Sequence, residues 1–206
     1  MSSNYPIMIQ LEGKKVVVVG GGKVAERKVS GLLVSGARVV MISPKATEKL
    51  QELFEAGKIE WLQRPFCDVD LKGAFMVFAA TNDSRVNQLI KESVEPHQLV
   101  MIVDDPDSSD FHLPAVVYRG RLSIAVSTGG ASPTLSKKIR AQLEREFDDQ
   151  YAEYLEFLFM KRKWIIGQVA DPALKRSLLT AIVSDDFLHS LDREGDFQRL
   201  YEELIY

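Results

Sequence analysis

The run Val16-Val17-Val18-Val19, followed at once by Gly20-Gly21-Gly22, constrains this chain more than any other stretch. Four β-branched residues in a row suit a strand buried on both faces, and such strands belong to parallel sheets covered by helices. After the glycines, Val24, Val29, Leu32 and Leu33 make an apolar stripe on a helix expected from Lys23 to Ser35, which Gly36 stops. Arg38 to Ile42 then reads as a second strand, so the stretch is a βαβ unit with a right-handed crossover. Within it, Gly20-x-Gly22-x-x-Ala25 has the form of a dinucleotide fingerprint with alanine at its last place. Gly20 would make the turn, Gly22 would let backbone approach a pyrophosphate, and small Ala25 would let the helix pack closely on the strand. The N-terminus of that helix, at Lys23 and Val24, would offer free N–H groups to the phosphates.

In an open parallel sheet, ligands sit beyond the carboxyl ends of the strands, so those ends carry the next information. After the second strand, where an acid often holds a ribose, this chain has Ser43-Pro44-Lys45. Ser43 offers a hydroxyl and Lys45 tolerates a ribose phosphate, which leaves NAD and NADP both open; a plain turn into a helix over 46–55 reads nearly as well. A further strand is expected over Ile59 to Arg64, then a short segment around Asp68 to Lys72 and a buried strand over Phe75 to Ala80, ending in Thr81-Asn82-Asp83-Ser84. Thr81 or Asn82 caps the helix expected from Ser84 to Ser93 in one reading and faces a cofactor in the other, and the two are compatible. The strand Val100 to Val103 ends in Asp104-Asp105-Pro106, where neighbouring carboxylates and partial burial raise a pKa if the pair is a site, and where the acids only cap a turn if it is not. His112 follows as a candidate base or ligand, although a lone histidine is more often neither.

From Ala115 the pattern changes to two strands around Arg119-Gly120-Arg121, an antiparallel hairpin. Thr128-Gly129-Gly130-Ala131-Ser132-Pro133 leads into a helix running to about Glu146, with Ser132 as its cap and Pro133 at its first position. Arg119, Arg121, Lys137 and Lys138 would form an anion-binding wall, or else belong to ordinary solvated faces. Beyond Asp148 the chain is helical and aromatic-rich, with breaks near Asp171-Pro172 and Asp185-Asp186. This gives two or three helices after the first, and Tyr151, Tyr154, Phe157, Phe159 and Trp164 suit core or dimer packing.

The 206 residues, 46% hydrophobic and 27% charged, are enough for one or two soluble domains. A net charge of −3 argues against global attraction to nucleic acid or an acidic membrane, so an anionic partner must meet a local basic patch. Cys67 is the only cysteine, which excludes an intrachain disulfide or a thiolate metal cluster and suits a reducing cytoplasm. Met1 to Leu11 has no basic leader, and no apolar run has the length of a membrane span.

Taken together, Tyr5-Pro6-Ile7, Val18 to Lys28, Ala79 to Asp83 with Val86-Asn87, Val103-Asp104, Phe111 to Ala115 and Ser127 to Pro133 resemble the precorrin-2 dehydrogenase family, which includes the N-terminal part of siroheme synthase. The resemblance covers about Pro6 to Phe147, and the last helices share it loosely. It implies an α/β chain: a Rossmann-type parallel sheet over 1–114, a hairpin-and-helix dimerisation segment over 115–147, and a C-terminal helical domain over 148–206. It also implies NAD-dependent oxidation of precorrin-2 to sirohydrochlorin, on the route to siroheme, by a homodimer that binds neither nucleic acid nor membrane. By position, Asp104 matches the family acid proposed to act in dehydrogenation and, in bifunctional members, in metal insertion. Gly22, Lys23, Ser43 and Pro44 match its cofactor contacts, with Gly20, Val24, Thr81, Asn82 and Asp83 beside them. His112, Arg119, Arg121, Thr128, Gly129, Lys137 and Lys138 are the candidates for holding the polycarboxylate substrate. Siroheme synthase has a serine where this chain has Thr128, which keeps the hydroxyl but stiffens the side chain. The chain lacks the methyltransferase portion of the fused enzyme and is not expected to make precorrin-2 itself. Two alternatives stand beside the dehydrogenase: a bifunctional enzyme that also inserts ferrous or cobalt ion, and a sensing module that binds NAD without turnover. No metal-ligand spacing is present to favour the first.

Overall fold

The computed structural model describes residues 4–205; Met1 to Ser3, at the start of the stretch read above as leaderless, and Tyr206 lie outside it. The chain divides into two compact units, Tyr5–Leu113 and the part from Pro114 onward. In the first, β1 (Lys15–Val19), β2 (Arg38–Ile42), β3 (Glu60–Leu62), β4 (Met76–Ala79) and β5 (Leu99–Ile102) form a parallel sheet of order β3-β2-β1-β4-β5. The valine run is central because it is buried on both faces. Val16 and Val18 pack with Ala25, Val29 and Leu32 of α1 (Lys23–Val34) and Leu50 of α2 (Glu48–Glu55), while Val17 and Val19 pack with Leu71 and with Ile90 of α3 (Ser84–Ser93). Each of these valines is at most 2% exposed, worth about 1.5–3 kcal/mol per side chain against an exposed one.

Two expected elements are shorter than the sequence pattern implies. The third strand is only Glu60–Leu62, and the second helix starts at Glu48 after a cap at Thr47. Both ends are drawn off by the loop they share: Trp61 Nε1 donates to Ser43 O at 2.9 Å, and Ser43 N donates to Leu62 O. Between β3 and β4 the crossover is a single 3-10 turn, Asp68–Leu71, rather than a full helix. Polar contacts brace it. Arg64 holds the buried Asp70 carboxylate through both oxygens at 2.9 and 2.5 Å, and Gln98, 4% exposed, donates to Leu71 O and Ala74 O.

The second unit opens with the antiparallel pair β6 (Ala115–Arg119) and β7 (Leu122–Val126), paired through Val117 and Ile124. Gly120, at φ +56°, makes the turn. The helix α4 (Pro133–Glu146) begins as expected, with Ser132 Oγ accepting from Leu135 N and proline at its first position. Then α5 (Gln150–Gln168), α6 (Pro172–Ala181), α7 (Asp185–His189) and α8 (Arg193–Ile205) enclose a core of Tyr154, Phe157, Ile165, Leu178, Ile182 and Phe197. Asp171 and Ser184 cap α6 and α7 at the two expected breaks. No helix among the described residues is long and apolar enough to cross a membrane.

Candidate functional site

The strand order reverses at β1, which lies between β2 and β4, and open parallel sheets bind ligands beyond the carboxyl ends at such a point. The glycine turn occupies it. Gly20 has φ +125°, and a Cβ there would stand 2.3 Å from Ala80 O. Gly21 faces the next loop: its Cβ would stand 2.0 Å from Lys45 O, and its own carbonyl accepts from Thr47 N at 2.9 Å. Gly22 is different, because nothing lies within 4 Å of a Cβ built on it. It is the N-cap of α1 and supplies no side-chain cap, so the first N–H groups of that helix have no side chain competing for them. Ala25 is fully buried against the strand, as its place in the fingerprint demands. An open approach at Gly22, above an uncapped helix N-terminus, fits the pyrophosphate of a dinucleotide. Lys23 and Val24 form the first turn, with Lys23 Nζ 3.1 Å from Glu26 Oε2. Ser43 spends its hydroxyl on Lys45 O at 2.7 Å, while Pro44 and Lys45 are exposed beside it.

Beyond β4 and β5 lies an open cleft of about 170 Å³ lined by Thr81, Asn82, Ser84, Asn87, Gln88, Ile102, Asp104 and Asp105. The cap of α3 is neither Thr81 nor Asn82 but Asp83, whose Oδ1 accepts from Arg85 N at 2.9 Å. A carboxylate accepts more strongly than the neighbouring hydroxyl or amide, and Thr81 has a better partner. Its Oγ1 donates to Asn87 Oδ1 at 2.7 Å, and Asn87 Nδ2 donates back to Thr81 O at 3.2 Å. This pair straps the end of β4 to α3 and leaves Asn82 exposed at the cleft. Asp104 is also exposed, so the partial burial read from the sequence is not there. Asp105 departs from that reading too: the Ser108 hydroxyl and N–H, with the Asp107 N–H, hold its carboxyl below the usual range rather than above it.

The other candidates fall into separate settings. His112 is exposed between β5 and β6. Arg119 is largely spent inside its own unit. Nη1 donates to Tyr118 O at 2.8 Å and Nη2 to Glu144 O at 3.1 Å, while Nε, buried and without a hydrogen bond, stands 3.2 Å from Asp149 Oδ1 at an unfavourable angle. Arg121 pairs with Glu156 at 2.6 Å and lies 3.5 Å from the centroid of the Phe159 ring. Thr128 ties its own loop, accepting from Ser132 N and lying 3.1 Å from Ser136 Oγ, and Gly129 is exposed at φ +59°. Lys137 and Lys138 are exposed on α4. No cluster of three or more metal-ligating side chains occurs among the described residues. Gly21, Asn87, Gln88 and Ser84 were not singled out from the sequence as site residues. The signal for the last three was available: Ser84, Asn87 and Gln88 share one face of a helix that starts at a strand end.

Fold and site together define a dinucleotide-binding α/β protein of the Rossmann type. An NAD(P)-binding family model matches residues 7–115, and the model of the sirohaem biosynthesis protein central region matches residues 119–146. Precorrin-2 dehydrogenase from Priestia megaterium is 34% identical over 97% of this chain and 98% of its own length, and the Bacillus subtilis protein of that name is 33% identical over 77% and 98%. The solved structure of SirC, a precorrin-2 dehydrogenase, superposes with a TM-score of 0.85 at 34% identity over 97% of this chain and all of its own. The chain belongs to the precorrin-2 dehydrogenase family.

Proposed function

We propose that this chain oxidises precorrin-2 to sirohydrochlorin with NAD as acceptor, and that Asp104 takes the proton. One observation carries the assignment of roles. Val19, Ala79 and Ile102 lie in one register across β1, β4 and β5, so the glycine turn and Asp104 leave the sheet at the same height. Two strand spacings separate them, about 10 Å. When bound, NAD supplies the hydride acceptor. The chain's own part is to hold the pyrophosphate at Gly20, Gly22, Lys23 and Val24, with Ser43 and Pro44 beside the ribose. Thr81, Asn82 and Asp83 border the reacting end. Dehydrogenation takes two hydrogens from the substrate, one as a hydride and one as a proton; Asp104, exposed to the cleft, would take the second and pass it to water. Lys137, Lys138, Arg119, Arg121, His112, Thr128 and Gly129 are the proposed contacts to the substrate's carboxylates and ring.

The functional form is proposed to be a homodimer in the cytoplasm, assembled through the hairpin. A two-stranded sheet is marginal in water, and the face of this one that holds Tyr118 with Val116, Ser123 and Ala125 is open, Tyr118 being 61% exposed. A second copy would cover that face; light scattering of the wild type and of Tyr118→Asp tests this, a monomeric wild type refuting it. The activity is tested by giving purified protein precorrin-2 under anaerobic conditions with NAD or NADP and following reduced nicotinamide. Binding of NAD without turnover of precorrin-2 would leave the sensing alternative standing.

A further inference from the structure

The geometry points to Ser109 as the positioning residue for Asp104, an inference that rests on the catalytic reading of Asp104 above. β5 is an edge strand, so the outward N–H and C=O groups of Val100 and Ile102 have no neighbouring strand to pair with. The chain returns along that edge and pairs it partly with side chains. Val100 N donates to Asp110 Oδ2 at 2.8 Å, and Asp110 N donates to Val100 O at 2.9 Å. Ile102 N donates to Ser109 Oγ at 2.9 Å. The same hydroxyl has one proton to give; Asp105 O at 2.9 Å is nearer than Ile102 O at 3.2 Å. Asp105 N donates in turn to Ile102 O.

Ser109 Oγ therefore fixes the backbone two residues before Asp104 and one residue after it. On the opposite side, Val103 N donates to Ala79 O at 3.0 Å, so the carboxylate stands on a turn whose two flanks are both tied. Lys91 secures the returning loop through Ser108 O, and Ser108 N donates to Asp105 Oδ1. Asp104 itself is exposed and receives none of these bonds, so its carboxylate is aimed by the backbone alone. Removing the Ser109 hydroxyl frees an edge N–H and the Asp105 carbonyl together, and the turn then samples orientations in which the carboxylate misses the substrate. A displacement on the order of 1 Å at a reacting group costs up to about a hundredfold in rate.

The test compares Ser109→Ala, Ser109→Thr and Asp104→Asn in the full chain, with precorrin-2 and NAD. Ser109→Ala is expected to lower kcat at least tenfold while the dissociation constant for NAD, measured by calorimetry, stays within twofold. Exchange of the Ile102 and Asp105 amides with deuterium should accelerate, whereas the amides of β1 should keep wild-type rates. Ser109→Thr, which keeps the hydroxyl, should recover most of kcat; Ser109→Cys replaces it if the added methyl lowers the thermal midpoint. Wild-type kcat in Ser109→Ala beside a crippled Asp104→Asn overturns the role of Ser109 and leaves that of Asp104 intact. Loss of kcat in Ser109→Ala that no hydroxyl- or thiol-bearing variant restores also overturns it. Wild-type turnover in Asp104→Asn defeats the catalytic reading itself, whatever Ser109→Ala does.

Discussion

Gly21 and Gly22 are adjacent, yet the structure gives them opposite sensitivities to one added methyl group. In Gly21→Ala the Cβ would meet Lys45 O at 2.0 Å, Ser43 Oγ at 2.9 Å and Ala46 Cα at 3.0 Å, two of the three being backbone atoms that cannot swing aside. Relieving the overlap costs about 1–3 kcal/mol as overpacking. It also pulls apart the Thr47 N to Gly21 O hydrogen bond, worth about 1 kcal/mol. The stiffer unfolded chain returns about 0.4–1 kcal/mol. The net loss is about 1–3.5 kcal/mol, which for a unit of this size lowers the thermal midpoint by roughly 5–15 °C. In Gly22→Ala nothing lies within 4 Å of the new Cβ. The poorer N-cap costs up to about 1 kcal/mol and the loss of unfolded-state freedom returns about the same, so the midpoint should barely move. NAD affinity should fall at least tenfold, about 1.4 kcal/mol, because the methyl fills the approach to the pyrophosphate. Differential scanning calorimetry and titration calorimetry with NAD measure the two effects. Gly21→Ala with a wild-type midpoint, or Gly22→Ala with wild-type NAD affinity, refutes this division of labour.

Asp104→Asn should lower kcat about 10²–10⁴-fold, the usual range for a lost proton acceptor, with NAD affinity unchanged by titration calorimetry. Arg64 and the Cys67 N–H, with Lys15 nearby, hold the Asp70 carboxyl below its usual range. A depressed folded pKa contributes stability that is complete above the ordinary carboxylate range and drains away as pH falls through that range toward the folded value; denaturant midpoints in acid should show this, and Arg64→Gln should flatten it. At neutral pH, Arg64→Gln should lower the denaturant midpoint, by less than the loss of a fully buried pair would because Arg64 is 45% exposed. Lys137→Glu with Lys138→Glu should raise KM for precorrin-2 several-fold without affecting NAD binding or the thermal midpoint; an unchanged KM removes α4 from substrate recognition.

The parallel sheet was legible because its evidence is local. Val16 to Val19 and Arg38 to Ile42 appear as strands with the residue bounds the pattern implies, apart from Lys15 at the start of the first, since four consecutive buried β-branched or aliphatic residues admit few alternatives. The helix starts were legible for the same reason where chemistry marks them, as at Ser132-Pro133 and Asp171-Pro172. What was not legible depends on partners distant in sequence. The shortening of β3 and α2 comes from a loop held by Trp61 and by the glycine turn, and the cap of α3 passed to Asp83 because Asn87, one and a half turns later, claims Thr81.

The same distinction governs the candidate site. Gly20, Gly22 and Ala25 could be assigned tasks from spacing, because each task concerns backbone conformation or the absence of a side chain. The basic wall could not, because a formal charge in a sequence does not say whether it is already neutralised. Arg119 meets two carbonyls with Asp149 nearby, and Arg121 meets Glu156 and a ring face, so both guanidinium charges are already partly neutralised inside their own unit. Lys137 and Lys138 carry no such commitment among the described residues. The cleft beyond β4 and β5 is lined by acids, amides, hydroxyls and Ile102, and among the described residues by no cation. Carboxylate arms would find there only neutral donors, such as the amides of Asn82 and Gln88, beside the like charges of Asp104 and Asp105. On the proposed function, a cationic partner for the carboxylates is sought outside this lining, and the two exposed lysines of α4 are the candidates with the fewest bonds to give up.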